Sequence, residues 1–308
     1  MSKIIQEVLS SGTSYLEERQ IDEARHSMQS LLMHVLGCDK TWLYLHYQDP
    51  IDEQKLAPLR DLLRKRGQGV PLQHLLGSVE FYRRDFTSDS RALIPRPETE
   101  ELVEMAIHRC EKKAGMRILD MGTGSGIIGI TLALELAAYK PTVVMADISE
   151  AALSLALQNA TALAAPVKTY RSDLFSLWQD ENPESSAVTP PHDFDLVLAN
   201  LPYVPEGEEG SVELSHDPAT ALYGGEDGLD IVRRFLKEAL PYLASHALVM
   251  LEVGHDQGHA VASLMQELAY TDCTVLADMC GKERFPMGYA PQKVAPEAPH
   301  EQEESEEA

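Results

Sequence analysis

Two stretches of the chain hold residue types that can do chemistry at useful spacing. The first is Leu119-Asp120-Met121-Gly122-Thr123-Gly124-Ser125-Gly126, where three glycines alternate with small hydroxyl residues behind an acid. Glycines at this density let backbone N–H groups approach a ligand at a helix N-terminus. The second is Asn200-Leu201-Pro202-Tyr203, which closes an apolar run. The Asn200 side-chain oxygen and the Leu201 backbone carbonyl are acceptors suited to both N–H groups of a planar amide or exocyclic amino group. Accepting those bonds moves electron density onto a nitrogen whose lone pair is otherwise delocalised, and prepares it to attack an electrophile. Pro202 fixes the chain direction, and Tyr203 offers a ring to pack flat on a planar substrate. No strong base is required, because the nitrogen turns acidic once alkylated. Catalysis of this kind is alignment and preorganised polarity.

The glycine stretch leaves two ligands open. Gly124-Ser125-Gly126-Ile127-Ile128-Gly129 fits the dinucleotide pattern, although a lone match is weak. Asp147 ends the next apolar run, 21 residues after Gly126, where a carboxylate can accept from two ribose hydroxyls. That placement serves a nicotinamide cofactor and S-adenosylmethionine (SAM) equally well. Two features lean towards SAM. Asp120 stands where a pyrophosphate would be repelled and a cationic methionine group would not. Ser172-Asp173-Leu174-Phe175 supplies an acid for an adenine amino group beside apolar surface for its ring. Taken singly, Asp173 reads as a helix cap. Together the pieces favour SAM.

These stretches need a scaffold that brings loop ends together. From Met116 onward strands and helices alternate, with strands expected at Met116–Asp120, Thr142–Asp147, Val167–Arg171, Phe194–Asn200, Ala247–Glu252 and Cys273–Ala277. Helices are expected at Ile127–Leu136, Glu150–Ala162 and Gly228–Leu240. The alternation predicts an α/β fold: a Rossmann-like, doubly wound, mostly parallel sheet whose ligands lie at the carboxyl ends of the strands. Before it, Ile21, Ala24, Met28, Leu31, Leu32, Val35 and Leu36 share one helical face that Gly37 stops. A second helix is expected from Asp52 to Arg66, with Pro58 either kinking it or marking its true first turn. A β-hairpin around Arg83-Arg84-Asp85 joins the two parts. The expected division is 1–75 as a helical domain, to which the family resemblance described below gives substrate recognition, 76–92 as a hairpin linker, 93–290 as the catalytic domain and 291–308 as an acidic, disordered tail. Residues 179–192, rich in Pro, Ser and acids, read as an exposed insertion.

Composition removes several classes of function. The formal net charge of −23 disfavours general affinity for DNA or RNA, so no direct nucleic-acid partner is expected. The tail from Pro291 to Ala308 contributes six glutamates against one lysine. No apolar run is long enough to span a bilayer and the N-terminus lacks a signal-peptide core, so a cytoplasmic protein without membrane contact is expected. Cys38, Cys110, Cys273 and Cys280 are scattered and read as reduced thiols with no metal or disulfide role. A monomer is expected.

In this order the motifs resemble the amino-group SAM-dependent methyltransferases. Within that class, Pro95-Arg96-Pro97-Glu98-Thr99-Glu100 is similar to the signature of the HemK-like release-factor glutamine methyltransferases, as are the hairpin and Pro218-Ala219-Thr220-Ala221-Leu222-Tyr223-Gly224-Gly225-Glu226-Asp227-Gly228-Leu229. The resemblance runs from about residue 20 to 290. It implies transfer of a methyl group from SAM to the side-chain amide nitrogen of the glutamine in the Gly-Gly-Gln loop of bacterial peptide chain release factors. It also implies that Gly122, Thr123, Gly124, Ser125, Gly126, Asp147, Asp173, Leu174 and Asn200 hold SAM. Asn200, Leu201, Pro202 and Tyr203, with Arg96, would hold the glutamine. Three positions depart from the family pattern: Leu201 replaces the commoner proline, Asp217 a glutamate, and Leu174 a frequent aromatic. Leu201 keeps its backbone carbonyl, so the acceptor survives.

The nearest rival is a ribosomal-protein glutamine methyltransferase, against which the intact Pro95–Glu100 string argues. DNA adenine N6-methylation uses the same acceptor logic on a flipped base, but the acidic charge opposes it. A module that binds SAM without turnover leaves Asn200 and Tyr203 unexplained. The nicotinamide reading accounts for neither those two residues nor Pro95–Glu100.

Overall fold

The structure, a computed structural model, describes residues 3–179, 191–207 and 217–293. The expected tail falls outside the described residues beyond Lys293, as does the expected insertion between 179 and 191.

Five helices open the chain: α1 (Ile5–Glu17), α2 (Ala24–Leu36), α3 (Lys40–Leu45), α4 (Glu53–Arg66) and α5 (Leu72–Leu76). They enclose a core of their own built on Leu16, Met28, Leu31, Leu32, Leu43 and Leu59. Gly37 ends α2 with φ +69°. The Asp52 side chain caps α4 by accepting from the Gln54 N–H at 2.9 Å, so Pro58 lies inside that helix rather than in its first turn.

Strands β1 (Ser78–Phe81) and β2 (Arg84–Thr87) form the hairpin, paired from Ser78↔Thr87 to Phe81↔Arg84. Its two-residue turn is Tyr82-Arg83, both at positive φ (49° and 61°), the backbone that suits the twist of a tight hairpin. Arg84 is no free surface cation. It donates to Glu135 Oε1 at 2.6 Å and ties the hairpin to the helix that follows the glycine stretch.

The remaining elements are α6 (Pro97–Arg109), β3 (Arg117–Met121), α7 (Ile127–Glu135), β4 (Thr142–Asp147), α8 (Glu150–Ala162), β5 (Val167–Arg171), α9 (Ser176–Gln179), β6 (Phe194–Asn200), α10 (Asp230–Ala239), β7 (Leu243–Glu252), α11 (Gly258–Glu267), β8 (Thr271–Ala277) and β9 (Glu283–Tyr289). The seven-stranded sheet runs β5-β4-β3-β6-β7-β9-β8. Its first five strands are parallel, and β9 lies antiparallel to both β7 and β8. The doubly wound expectation holds, with β9 added. Pro286 and Gly288 hide that strand from sequence patterning, yet it pairs on both edges.

Apolar side chains alternate between the two faces of the sheet. Ile118, Val143, Met145, Leu196 and Leu198 pack on one side, and Leu119, Val144, Val197, Val249 and Leu251 on the other. The chain winds outwards from β3 to β5 and then returns to β6 beside β3. That reversal opens a crevice at the carboxyl ends of β3 and β6, the usual ligand position in such sheets.

Candidate functional site

A cavity of about 400 Å³ occupies this crevice, a volume in the range of small-molecule sites. Gly122, Thr123, Gly124, Ser125, Asp147, Asp173, Leu174, Asn200, Leu201, Pro202 and Arg96 all line it. Residues about a hundred positions apart in sequence thus meet on one surface.

The glycine loop leads from β3 into α7. Gly126 is the N-cap of α7 with φ +86°, and a Cβ there would stand 3.0 Å from the Ala156 Cβ, so glycine is required. It supports the loop from behind and does not line the cavity. Asn159 on α8 fastens the loop to the hairpin: its Nδ2 donates to Ser125 O at 3.0 Å and Thr87 O at 3.2 Å, while its Oδ1 accepts from the Thr87 N–H at 2.8 Å. Nothing in the local sequence marks Asn159 for this work.

Asp120 does not face the cavity, contrary to the sequence reading. Strand alternation sends its side chain to the α7 side of the sheet, where it is fully buried. There Oδ2 accepts from the Thr123 hydroxyl and from the Gly129 N–H at 2.8 Å. Burial pushes its carboxyl up to about 7, against the pull of those two hydrogen bonds. The acid braces the loop from below.

Asp147, at the end of β4, accepts from the Gly124 N–H at 2.9 Å and the Ser149 N–H at 2.8 Å. Burial raises its carboxyl above the ordinary range despite these bonds. Beside it, Ile148 lies on the cavity wall and is 55% exposed, unusual for an isoleucine in a crevice. Leu174, held at φ +48°, adds apolar surface to the wall. A carboxylate beside two apolar walls suits a nucleoside: hydroxyls on Asp147, and the ring covering Ile148 and Leu174. These residues fit SAM. Ile148 went unnoticed in the sequence, since one isoleucine after an acid carries no signal. Asp173 shares its carboxylate with Arg234 of α10, Nη2 to Oδ2 at 3.2 Å.

At the reacting end, the Asn200 Nδ2 donates to the Thr99 hydroxyl at 3.3 Å, and that hydroxyl donates to Glu252 Oε2 at 2.7 Å. Thr99 stands in the first turn of α6, which Pro97 opens, so the Pro95–Glu100 stretch reaches into the site directly. Among the described residues no donor is bonded to the Leu201 carbonyl. Arg96 lines the cavity but is partly committed, with Nη2 3.3 Å from Oδ2 of the buried Asp217. Tyr203 departs from the expected position. It is half-buried and does not line the cavity. Burial, with Glu252 nearby, pushes its hydroxyl up to about 12. Tyr223, 39% exposed, stands on the wall instead.

The glycine-rich segment after Tyr223 packs backbone to backbone against Pro202 and Tyr203. At Gly228, with φ +78°, a Cβ would lie 2.1 Å from Tyr203 O. Gly228→Ala is expected to destabilise the fold by about 3 kcal/mol through combined strain and overpacking, read by urea unfolding. Gln257 holds the same carbonyl, donating from Nε2 to Tyr203 O at 2.9 Å.

The strand order, the glycine loop and the acid after the second strand of the sheet define a class I SAM-dependent methyltransferase. Residues 102–213 match the methyltransferase small domain and residues 7–77 match the PrmC N-terminal domain. The release factor glutamine methyltransferase of Bacillus cereus is 36% identical, covering 91% of this chain and 97% of that protein. Those of Koribacter versatilis (33% identical; 93% and 99% covered) and Bacillus subtilis (34%; 92% and 96%) are similarly close. This chain belongs to the release factor glutamine methyltransferase family.

Proposed function

We propose that the cavity binds SAM and the release-factor glutamine side by side, and that the chain methylates the glutamine amide nitrogen. One observation carries this reading: the Asn200 and Leu201 acceptors line the same cavity as the glycine loop and Asp147, at the crevice where β6 lies beside β3. SAM, held by Gly122 to Ser125, Asp147 and the Ile148–Leu174 walls, supplies an electrophilic methyl group. Asn200 Oδ1 and the Leu201 carbonyl accept the two N–H bonds of the glutamine amide and turn its lone pair towards that methyl. Pro202 keeps the carbonyl in place. Tyr203 backs the wall and steadies Asn200–Pro202 from behind. Arg96, between Asp217 and the cavity, borders the entry. Alignment and fixed polarity do the work, and no strong base takes part.

On this reading the helical unit of residues 1–75 receives the release factor, and the hairpin of 76–92 couples it to the catalytic unit of 93–290. The enzyme acts in the cytoplasm as a monomer and binds no nucleic acid directly, in keeping with its net charge of −23. Among the described residues no helix is long and apolar enough to cross a membrane.

The test is mass spectrometry of purified release factor after incubation with the chain and SAM, with ribosomal protein and DNA in parallel. One added methyl on the Gly-Gly-Gln peptide is the expected result. Methyl on the ribosomal protein alone would move the substrate, and methyl on DNA would overturn the proposal.

A further inference from the structure

If Asn200 acts as an acceptor, it must present oxygen, not nitrogen, to the substrate amide. A carboxamide has nearly the same shape either way round, so packing alone does not choose between them. Thr99 does. Its single hydroxyl hydrogen lies along the 2.7 Å bond to Glu252 Oε2, which leaves its lone pairs to accept. The donor they meet is Asn200 Nδ2 at 3.3 Å. The β6–β7 register places Glu252 directly opposite Asn200, so the carboxylate favours the N–H side of the carboxamide facing it.

We propose that Thr99 and Glu252 are positioning residues that lock the Asn200 carboxamide with Oδ1 facing the reacting amide. This rests on the acceptor reading of Asn200 and extends it. Both residues are sealed from solvent, Thr99 at 1% and Glu252 at 2% exposure, so water does not offer alternative partners. The chain of bonds has a direction, and the ionisation of Glu252 sets it. An ionised Glu252 only accepts, so Thr99 must donate to it and accept from Asn200. A protonated Glu252 can donate to Thr99, whose own hydrogen then turns towards Asn200. The carboxamide must flip to accept it, and N–H then faces N–H across the cavity.

The surroundings of Glu252 are balanced. Burial and Glu98, on the first turn of α6, favour its protonated form, while Thr99, Asn200 and Arg284 of β9 favour the ionised one. Arg284 is itself shared with Asp278, Nε to Oδ2 at 2.8 Å, and its Nη2 lies 3.9 Å from Glu98. Tyr203, with its hydroxyl kept neutral, and Arg96 are further groups on this side of the site among the described residues. The outcome is a Glu252 carboxyl pushed up to about 7. The locked state is present above that pH and is lost as pH falls through it.

The experiment measures kcat, KM and SAM affinity for the full chain acting on release factor, across neutral pH, for four variants. Thr99→Val is expected to lower kcat at least about tenfold, the loss of one buried hydrogen-bond partner, with SAM affinity unchanged. Thr99→Ser, which keeps the hydroxyl, restores kcat. The wild-type kcat falls on the acid side of neutrality, and Glu252→Gln, whose Oε1 accepts at every pH, flattens that limb. Wild-type kcat in Thr99→Val, or an unchanged acid limb in Glu252→Gln, overturns the proposal. Should Thr99→Val melt early, the Ser and Gln variants decide. Asn200→Ala separates the two levels. An active Asn200→Ala overturns the acceptor reading and the lock together, whereas an inactive one beside an unaffected Thr99→Val overturns the lock alone.

Discussion

Replacing Asn200 with alanine is expected to cut kcat by at least about a hundredfold, as for the loss of one preorganised polar group aimed at the reacting atoms. SAM affinity should barely change, because the proposed ribose and adenine contacts are made by other lining residues, Asp147, Ile148 and Leu174. The two effects separate because the proposed arrangement has Asn200 meet the substrate amide where the lone pair must be turned, and has SAM held by the loop after β3 and the ends of β4 and β5. Truncation also leaves the Thr99 hydroxyl without its donor, so a modest loss of stability accompanies the loss of rate. Single-turnover methylation with saturating SAM measures the chemical step directly. Near-normal turnover would sink the acceptor mechanism.

The second large effect belongs to Asp147. Asp147→Ala removes the carboxylate proposed to accept from two ribose hydroxyls, and hydrogen bonds to a charged group make this worth about 3 kcal/mol, roughly a hundredfold in SAM affinity. Part of that loss is indirect, since Asp147 also anchors Gly124 and Ser149 through their backbone N–H groups. Asp147→Asn keeps one acceptor oxygen and should fall between the wild type and the alanine variant in calorimetric titration with SAM. The pH dependence has a definite sign. The ionised carboxylate is the binding form, and burial raises its pKa, so affinity is lost on acidification earlier than for an exposed aspartate. Unchanged affinity in Asp147→Ala would remove that residue from the cofactor site.

Much of this architecture was legible before any coordinates. The strands β3, β4 and β6 are short, largely apolar runs, and the alternation of strands with helices forces a parallel, doubly wound sheet. The glycines of the loop are legible because few other residues tolerate the required backbone. Strand β9 was not legible: Pro286 and Gly288 oppose strand formation locally, and only pairing on both edges by β7 and β8 outweighs them. Asp120 was misread for a related reason. Its type and position next to a ligand loop suggested a ligand contact, yet the face of the strand it occupies is set by the whole sheet and leads under α7. Tyr203 likewise follows Asn200–Pro202 in sequence but, unlike them, does not line the cavity.

By itself, then, the sequence determined whatever depends on neighbours along the chain: the glycine loop, the acid that ends β4, the Asn200–Tyr203 string at the end of β6 and the α/β order that carries them. Tertiary structure decided which way those groups face. Asn200 Nδ2 is anchored by Thr99, 101 residues away, and Thr99 by Glu252, 153 residues further along the chain from it. Hydrogen bonds between such distant residues leave no periodicity or spacing in the sequence. They exist only because the sheet register brings β6 against β7 and seats α6 over their ends.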